Sequence, residues 1–141
     1  MVHMDILYTA GAVATGDGRN GHVQSTDGHI DTDVRVPREL GGAGGATNPE
    51  QLFAAGYAAC FHSALQLVAG KAKLDVTDSE VVADVSIGAN GVGGFGLAVQ
   101  LEVALPALER AEAEKLVEQA HQVCPYSNAT RGNVEVTLSV A

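Results

Sequence analysis

Cys60 and Cys124 are the two cysteines of this chain, and they admit three kinds of chemistry. The plainest is none at all, because free cysteine packs as a small hydrophobe and is among the most buried residue types. Metal ligation is the second. His121 and Cys124 have helical i, i+3 spacing, and Cys60 with His62 would add two donors. That full set cannot converge while the helix persists, since residues two apart point roughly 200° from each other. The third is peroxide reduction, in which a thiolate attacks a peroxide oxygen and the resulting sulfenic acid condenses with a second thiol. The cysteines are too far apart in the chain to form a Cys-x-x-Cys redox motif, which disfavours a thiol–disulfide oxidoreductase acting on proteins.

Peroxide chemistry needs a thiol whose pKa is lowered. Cys60 falls about ten residues into its predicted helix, and a helix dipole acts only within the first turn, so a cation must come from elsewhere. Arg19, Arg38 and Arg131 are the candidates. Asp17, Tyr126 and Ser127 are candidates for shaping the site, with turn chemistry and capping as their ordinary uses.

The elements that must position these residues follow from periodicity. Ile6 to Thr15 reads as a strand, and Asp17-Gly18-Arg19-Asn20-Gly21 is a turn that folds it onto the next strand. Ile30, Thr32, Val34 and Val36 alternate with polar residues and predict a third strand, closed by Pro37. Gly41 to Gly45 reads as a flexible, mobile approach to a helix, and it is not followed by the Gly-Lys-Ser/Thr of a phosphate-binding loop. Asn48 and Pro49 suit the N-cap and first turn of that helix, which runs to about Val68 with Gly70 as its stop. Its centre, Ala54 to Cys60, is small or apolar on every side, which predicts burial. A second hairpin follows, with Val81 to Ile87 and Phe95 to Val103 alternating about a glycine-rich turn. Pro106 is expected to open a second helix through Cys124, with Pro125 ending it, and Val134 to Val140 alternate as a last strand. The order βββ-α-ββ-α-β predicts an α+β domain with antiparallel sheet, one domain over residues 1–141.

Composition narrows the partners. Eight Lys and Arg against seventeen Asp and Glu give a formal charge of −9, which disfavours nucleic acid and small anionic substrates. No stretch of about 20 apolar residues is expected to span a bilayer, and the start lacks a secretory signal, so a cytoplasmic protein is expected.

The run Thr47-Asn48-Pro49-Glu50-Gln51-Leu52-Phe53-Ala54-Ala55-Gly56-Tyr57-Ala58-Ala59-Cys60-Phe61 resembles the first-cysteine signature of the Ohr/OsmC family, in its organic hydroperoxide resistance branch. Val123-Cys124-Pro125-Tyr126-Ser127-Asn128-Ala129-Thr130-Arg131-Gly132-Asn133 resembles the second-cysteine signature of the same branch. The resemblance covers almost the whole chain. It implies an OsmC-like fold, with antiparallel sheets packed around two helices in an intertwined two-fold dimer. It implies a peroxidase in which Cys60 attacks the hydroperoxide and Cys124 resolves the sulfenic acid into an intramolecular disulfide. Arg19 and Glu50 would form the ion pair that steadies the thiolate. The implied reductant is a lipoyl-type dithiol, as dihydrolipoamide or on a lipoylated protein, with no bound cofactor and no metal. A redox-sensing or stress-binding protein that uses the same disulfide as a switch is the alternative.

One inference concerns assembly. Glu50 and Cys60 are about 15 Å apart along a straight helix and cannot meet within it. They meet if two copies of the helix cross antiparallel about a two-fold axis near Ala55, whereas a kinked first turn would bring Glu50 back within its own chain.

Overall fold

The computed structural model describes residues 3–141, and the chain divides into two compact units, Met1–Pro49 and Glu50–Ala141. The first carries a three-stranded antiparallel sheet of β1 (Ala12–Thr15), β2 (His22–Ser25) and β3 (Asp31–Asp33). The hairpin between β1 and β2 forms as expected, with Thr15 opposite His22 and a 3₁₀ turn over Gly18–Asn20. Gly21 closes this turn by necessity, since a Cβ there would fall 2.2 Å from the Thr15 carbonyl oxygen. The strand expected from Ile6 begins only at Ala12. Ile6, Leu7 and Tyr8 have no sheet partner and are exposed, because apolar sequence alone cannot supply the neighbouring strand that a ladder requires. The third strand is likewise shorter than predicted, and Val34 instead makes a single parallel bridge to Thr47.

The glycine run, read from the sequence as flexible, carries backbone hydrogen bonds of its own. The Gly42 N–H donates to the Pro37 carbonyl at 3.0 Å and the Gly44 N–H to the Val36 carbonyl at 3.0 Å. A Cβ on Gly42 would lie 2.1 Å from the Val36 oxygen, so glycine here permits close packing of two backbones.

The second unit is built on α1 (Pro49–Ala72), β4 (Glu80–Ala89), β5 (Phe95–Ala104), α2 (Arg110–Val123), α3 (Pro125–Thr130) and β6 (Glu135–Val140). β4 and β5 form the predicted hairpin, and the Asn90 carboxamide oxygen closes its turn by accepting the N–H groups of Val92 and Gly94. β6 then adds parallel to β5, a departure from the expected antiparallel sheet. α2 and α3 lie between these strands and provide the long crossover that a parallel pair needs.

Every second residue of β5 turns inward, so Val99, Leu101 and Val103 are buried. They share one core with Tyr57, Phe61, Ala64, Leu65 and Ala69 of α1 and with Ala113, Leu116, Val117 and Ala120 of α2. Each large side chain buried in this way stabilises the fold by about 1.5–3 kcal/mol. The α1 residues recur at three- and four-residue steps and form one stripe. Ala55, Ala59, Ser63 and Leu67 lie off that stripe and are exposed, so α1 is not buried all round as its composition suggests.

Helix ends also moved. α1 passes through Gly70 and stops at Lys73, whose φ of 57° is left-handed. The Leu74 N–H bonds the Ala69 carbonyl at 2.9 Å and the Lys73 N–H that of Gly70 at 3.3 Å, a Schellman stop made without glycine. At 24 residues α1 is long and apolar enough to cross a membrane by length and composition, contrary to expectation. It nonetheless supplies much of the core just described. Pro106 does not open α2. It occupies the second position of a turn closed by the Leu108 N–H on the Leu105 carbonyl, where its fixed φ fits equally well.

In the first unit His22 bridges β2 and β3, its Nδ1 lying 2.8 Å from Asp33 Oδ1 and its Nε2 2.6 Å from Asp31 Oδ1. Hydrogen bonds to Asp33 and then Asp31 raise the His22 pKa above its ordinary 6.5, and the Asp33 carboxyl is lowered chiefly by the same contact. A raised pKa means that this contact stabilises the fold fully below pH 6.5 and is lost as pH rises through the raised value. An NMR titration is expected to place the His22 midpoint above 6.5, and Asp33→Asn to bring it back down.

Candidate active site

Cys60 stands one turn beyond Tyr57 on α1, at the edge of the helix's buried stripe, and is half-buried. Cys124 sits between α2 and α3 rather than on a helix, with φ −63° and ψ 123°. Proline at 125 disfavours helical backbone in the residue before it, and α2 ends there as the chain turns through an extended step. That step carries the Cys124 side chain into the core, where it is 0% exposed. The two sulfurs lie 3.6 Å apart, within hydrogen-bond reach. Both are free thiols, and their separation exceeds the roughly 2.05 Å of a disulfide bond.

The electrostatics of Cys60 oppose each other. Burial pushes its thiol above the ordinary value of 9.0, and the neighbouring Cys124 adds to that rise. The backbone N–H of Tyr126 acts the other way by hydrogen bonding to the sulfur. Geometry separates the two thiols further, since Cys60 is open to a reagent in part and Cys124 is not.

Around the pair, Phe53, Tyr57 and Tyr126 form an aromatic cluster with ring centroids 5.6–6.0 Å apart. Gly56 permits it, because a Cβ there would lie 2.9 Å from the Tyr126 hydroxyl. Beneath the rings, Tyr57 Oη lies 2.8 Å from Ser127 Oγ and 3.2 Å from Thr130 Oγ1, and Ser127 Oγ is 2.8 Å from His121 Nδ1. Burial, and then the charge of Arg131, lower the His121 pKa below 6.5. Sequence reasoning marked Tyr126 and Ser127 but missed Tyr57 and Thr130. The available signal was a tyrosine set in an otherwise small-residue helix three positions before the cysteine.

The other candidates are placed as follows. Arg19 lies in the 3₁₀ turn of the first unit, and Glu50 in the first turn of α1 in the second. Arg131 is committed locally, donating to the Asn128 side chain at 2.7 Å and to the His121 carbonyl at 2.5 Å. Arg38 reaches the Ala43 carbonyl within its own loop. His62 is held by Ser79 at 2.9 Å, and no group of three or more His, Cys, Asp or Glu side chains among the described residues is placed to hold a metal.

Residues 42–139 match the family described as OsmC-like protein. An organic hydroperoxide resistance protein of Xanthomonas axonopodis pv. citri is 56% identical over 138 residues, 96% of each chain. The organic hydroperoxide resistance protein OhrB of Bacillus subtilis is 47% identical, covering 95% of this chain and 98% of its own. Among solved structures, an organic hydroperoxide resistance protein of Legionella pneumophila aligns with a TM-score of 0.93 at 56% identity, over 97% of this chain and 99% of that one. One from Vibrio cholerae, holding captopril in one of its active sites, aligns with a TM-score of 0.92 at 50% identity, over 99% and 95%.

The unequal burial of the thiols has a direct consequence. Limited iodoacetamide treatment of the folded, reduced protein is expected to alkylate Cys60 first, with Cys124 modified only after denaturant is added. Peptide mass mapping reads the order, and early labelling of Cys124 would contradict it.

Proposed function

This chain belongs to the OsmC-like protein family, and on that premise we propose that it is a cysteine-based peroxidase reducing organic hydroperoxides to alcohols. The observation that carries the reading is the 3.6 Å approach of two thiols of unequal burial from distant parts of the sequence. The half-buried Cys60 thiolate attacks the distal oxygen of ROOH, the O–O bond breaks, and ROH leaves after taking a proton. Cys60 is then a sulfenic acid. Cys124 displaces its hydroxyl as water, and a disulfide joins the two sulfurs. The partly exposed Phe53 and Tyr126 rings fit an apolar peroxide better than an anionic one.

Burial raises the Cys60 pKa, so the attacking thiolate needs a positive neighbour. Arg19 is the residue assigned to that role, with Glu50 orienting its guanidinium. A guanidinium also stabilises the alkoxide charge that develops as the O–O bond breaks. A lipoyl-type dithiol closes the cycle. One of its thiols opens the Cys60–Cys124 disulfide, and the other expels Cys60 or Cys124 as the dithiol cyclises. Such cycling suits the reducing cytoplasm.

The working unit in this reading is a homodimer. α1 is continuous from Pro49 to Ala72, which leaves Glu50 and Cys60 separated along its axis. The exposed Ala55 and Ala59 face permits a second copy of α1 to cross closely. Glu50 of one protomer would then stand beside Cys60 of its partner.

Steady-state turnover of cumene hydroperoxide with dihydrolipoamide tests the chemistry. Wild type is expected to consume many equivalents per chain, Cys60→Ser none, and Cys124→Ser to form a sulfenic acid that the dithiol resolves poorly. A single equivalent consumed by wild type would point instead to a sensor. Arg19→Ala is expected to lower kcat/KM at pH 7 by about 10²-fold or more and to regain activity as pH rises through the unassisted thiol pKa. A flat pH profile would remove Arg19 from this role. Sedimentation velocity is expected to give a dimer, and a fully active monomer would remove that part of the proposal.

A further inference from the structure

Ser127, Thr130, Tyr57 and His121 each have one polar hydrogen or ring proton to place, and their distances constrain where it goes. The Thr130 hydroxyl donates to the Ser127 carbonyl at 3.2 Å, so Thr130 Oγ1 is left to accept. Its neighbour at 3.2 Å is the Tyr57 hydroxyl, which must then donate to it. The Tyr57 oxygen is in turn free to accept from Ser127 at 2.8 Å. With that proton used, Ser127 Oγ accepts from His121 Nδ1 at 2.8 Å. One direction gives all four contacts a proton: His121 Nδ1–H to Ser127, Ser127 to Tyr57, Tyr57 to Thr130, and Thr130 back to the Ser127 carbonyl. The reverse direction, with Thr130 donating to Tyr57, supplies one contact fewer, because the Thr130 contact with the Ser127 carbonyl is then unmade and that carbonyl accepts only from the Arg131 N–H at 2.9 Å. Tyr57, Ser127 and Thr130 are buried at 0%, 0% and 3% exposure, where an unmade hydrogen bond is costly.

The ring's position gives it a use. α3 is only six residues long and fully buries only Ser127 and Thr130, so beyond the Tyr126 ring in the aromatic cluster little apolar packing of its own holds it. Tyr57 ties it to α1 one turn from Cys60, and His121 ties it to the last turn of α2. Arg131 reinforces the second tie by donating to the His121 carbonyl. α3 begins at the residue after Cys124 and carries the Tyr126 amide that bonds the Cys60 sulfur.

We infer that Tyr57, Ser127, Thr130 and His121 form a proton-ordered network of positioning residues that holds the Cys124 thiol and the Tyr126 amide on the Cys60 sulfur. The inference rests on the reading of Cys60 and Cys124 as a working pair. It assigns His121 the neutral tautomer protonated at Nδ1 and makes Ser127 the hub, since its hydroxyl meets both Tyr57 and His121.

Tyr57→Phe and Ser127→Ala test it, each confirmed as folded by circular dichroism. Two readouts separate positioning from general support. The first is the Cys60 thiolate titration, followed at 240 nm in a Cys124→Ser background. The second is the rate at which diamide, which accepts two electrons and two protons, joins Cys60 to Cys124. Both variants are expected to move the Cys60 midpoint to higher pH, because the Tyr126 amide loses its aim. Disulfide closure is expected to slow about tenfold, the scale of one lost buried hydrogen bond. Folded variants with an unchanged midpoint and closure rate would overturn the inference. Independently of any variant, ¹⁵N NMR of the wild-type imidazole is expected to report Nδ1–H, and an Nε2–H tautomer would overturn the proton order. None of these readouts needs hydroperoxide turnover, so a wild type inactive on cumene hydroperoxide would count against the proposed activity alone.

Discussion

Because the ring of Pro125 disfavours helical backbone at Cys124, α2 stops there and the chain turns through an extended residue before α3 begins. The site depends on that restriction. A cysteine left in a continuing helix would keep its side chain tied to the period of that helix. At the break it projects into the core instead, within 3.6 Å of a sulfur carried by α1. The same break sets the Tyr126 amide toward Cys60 and leaves α3 to be fixed by hydrogen bonds together with the packing of the Tyr126 ring.

Two opposing effects meet at Cys60. The hydrocarbon that excludes water raises its pKa, while an amide N–H stabilises the thiolate. Neither suffices for a reactive thiol at neutral pH, which is why the proposed chemistry requires a guanidinium. Asymmetry between the thiols follows from the same packing. Cys124 is sealed beneath Tyr57, Phe61 and the β5 residues of one common core, and Cys60 lies at the margin of that core.

α1 serves this arrangement twice. Its large side chains, Tyr57, Phe61 and Leu65, stand on one stripe and hold the helix in the core. Its small residues make room, with Gly56 admitting the Tyr126 ring and Ala55 and Ala59 leaving an open face. A uniformly apolar composition therefore conceals two faces that differ in size rather than polarity. This is also why hydropathy alone cannot tell this core helix from a membrane-spanning one.

Several features were determined by sequence alone. Strict alternation in β4 and β5 fixed their hairpin, because a period of two has one inward face, and the Asp17–Gly21 turn fixed another. The long runs around Cys60 and Cys124 identified the family, since two specific motifs in order leave few alternatives. Other features had no local signal. Pro106 fits a turn as well as a helix start, and Gly70 is tolerated within a helix whose end was decided by a capping pattern at Lys73. The unpaired stretch from Ile6, the parallel placement of β6 and the separation of the sulfurs depend on which backbone comes alongside, a non-local quantity. The network of Tyr57, Ser127, Thr130 and His121 is of the same kind. Residue identities supplied its donors and acceptors, but only tertiary packing brought them within bonding distance, away from water that would otherwise compete for each proton.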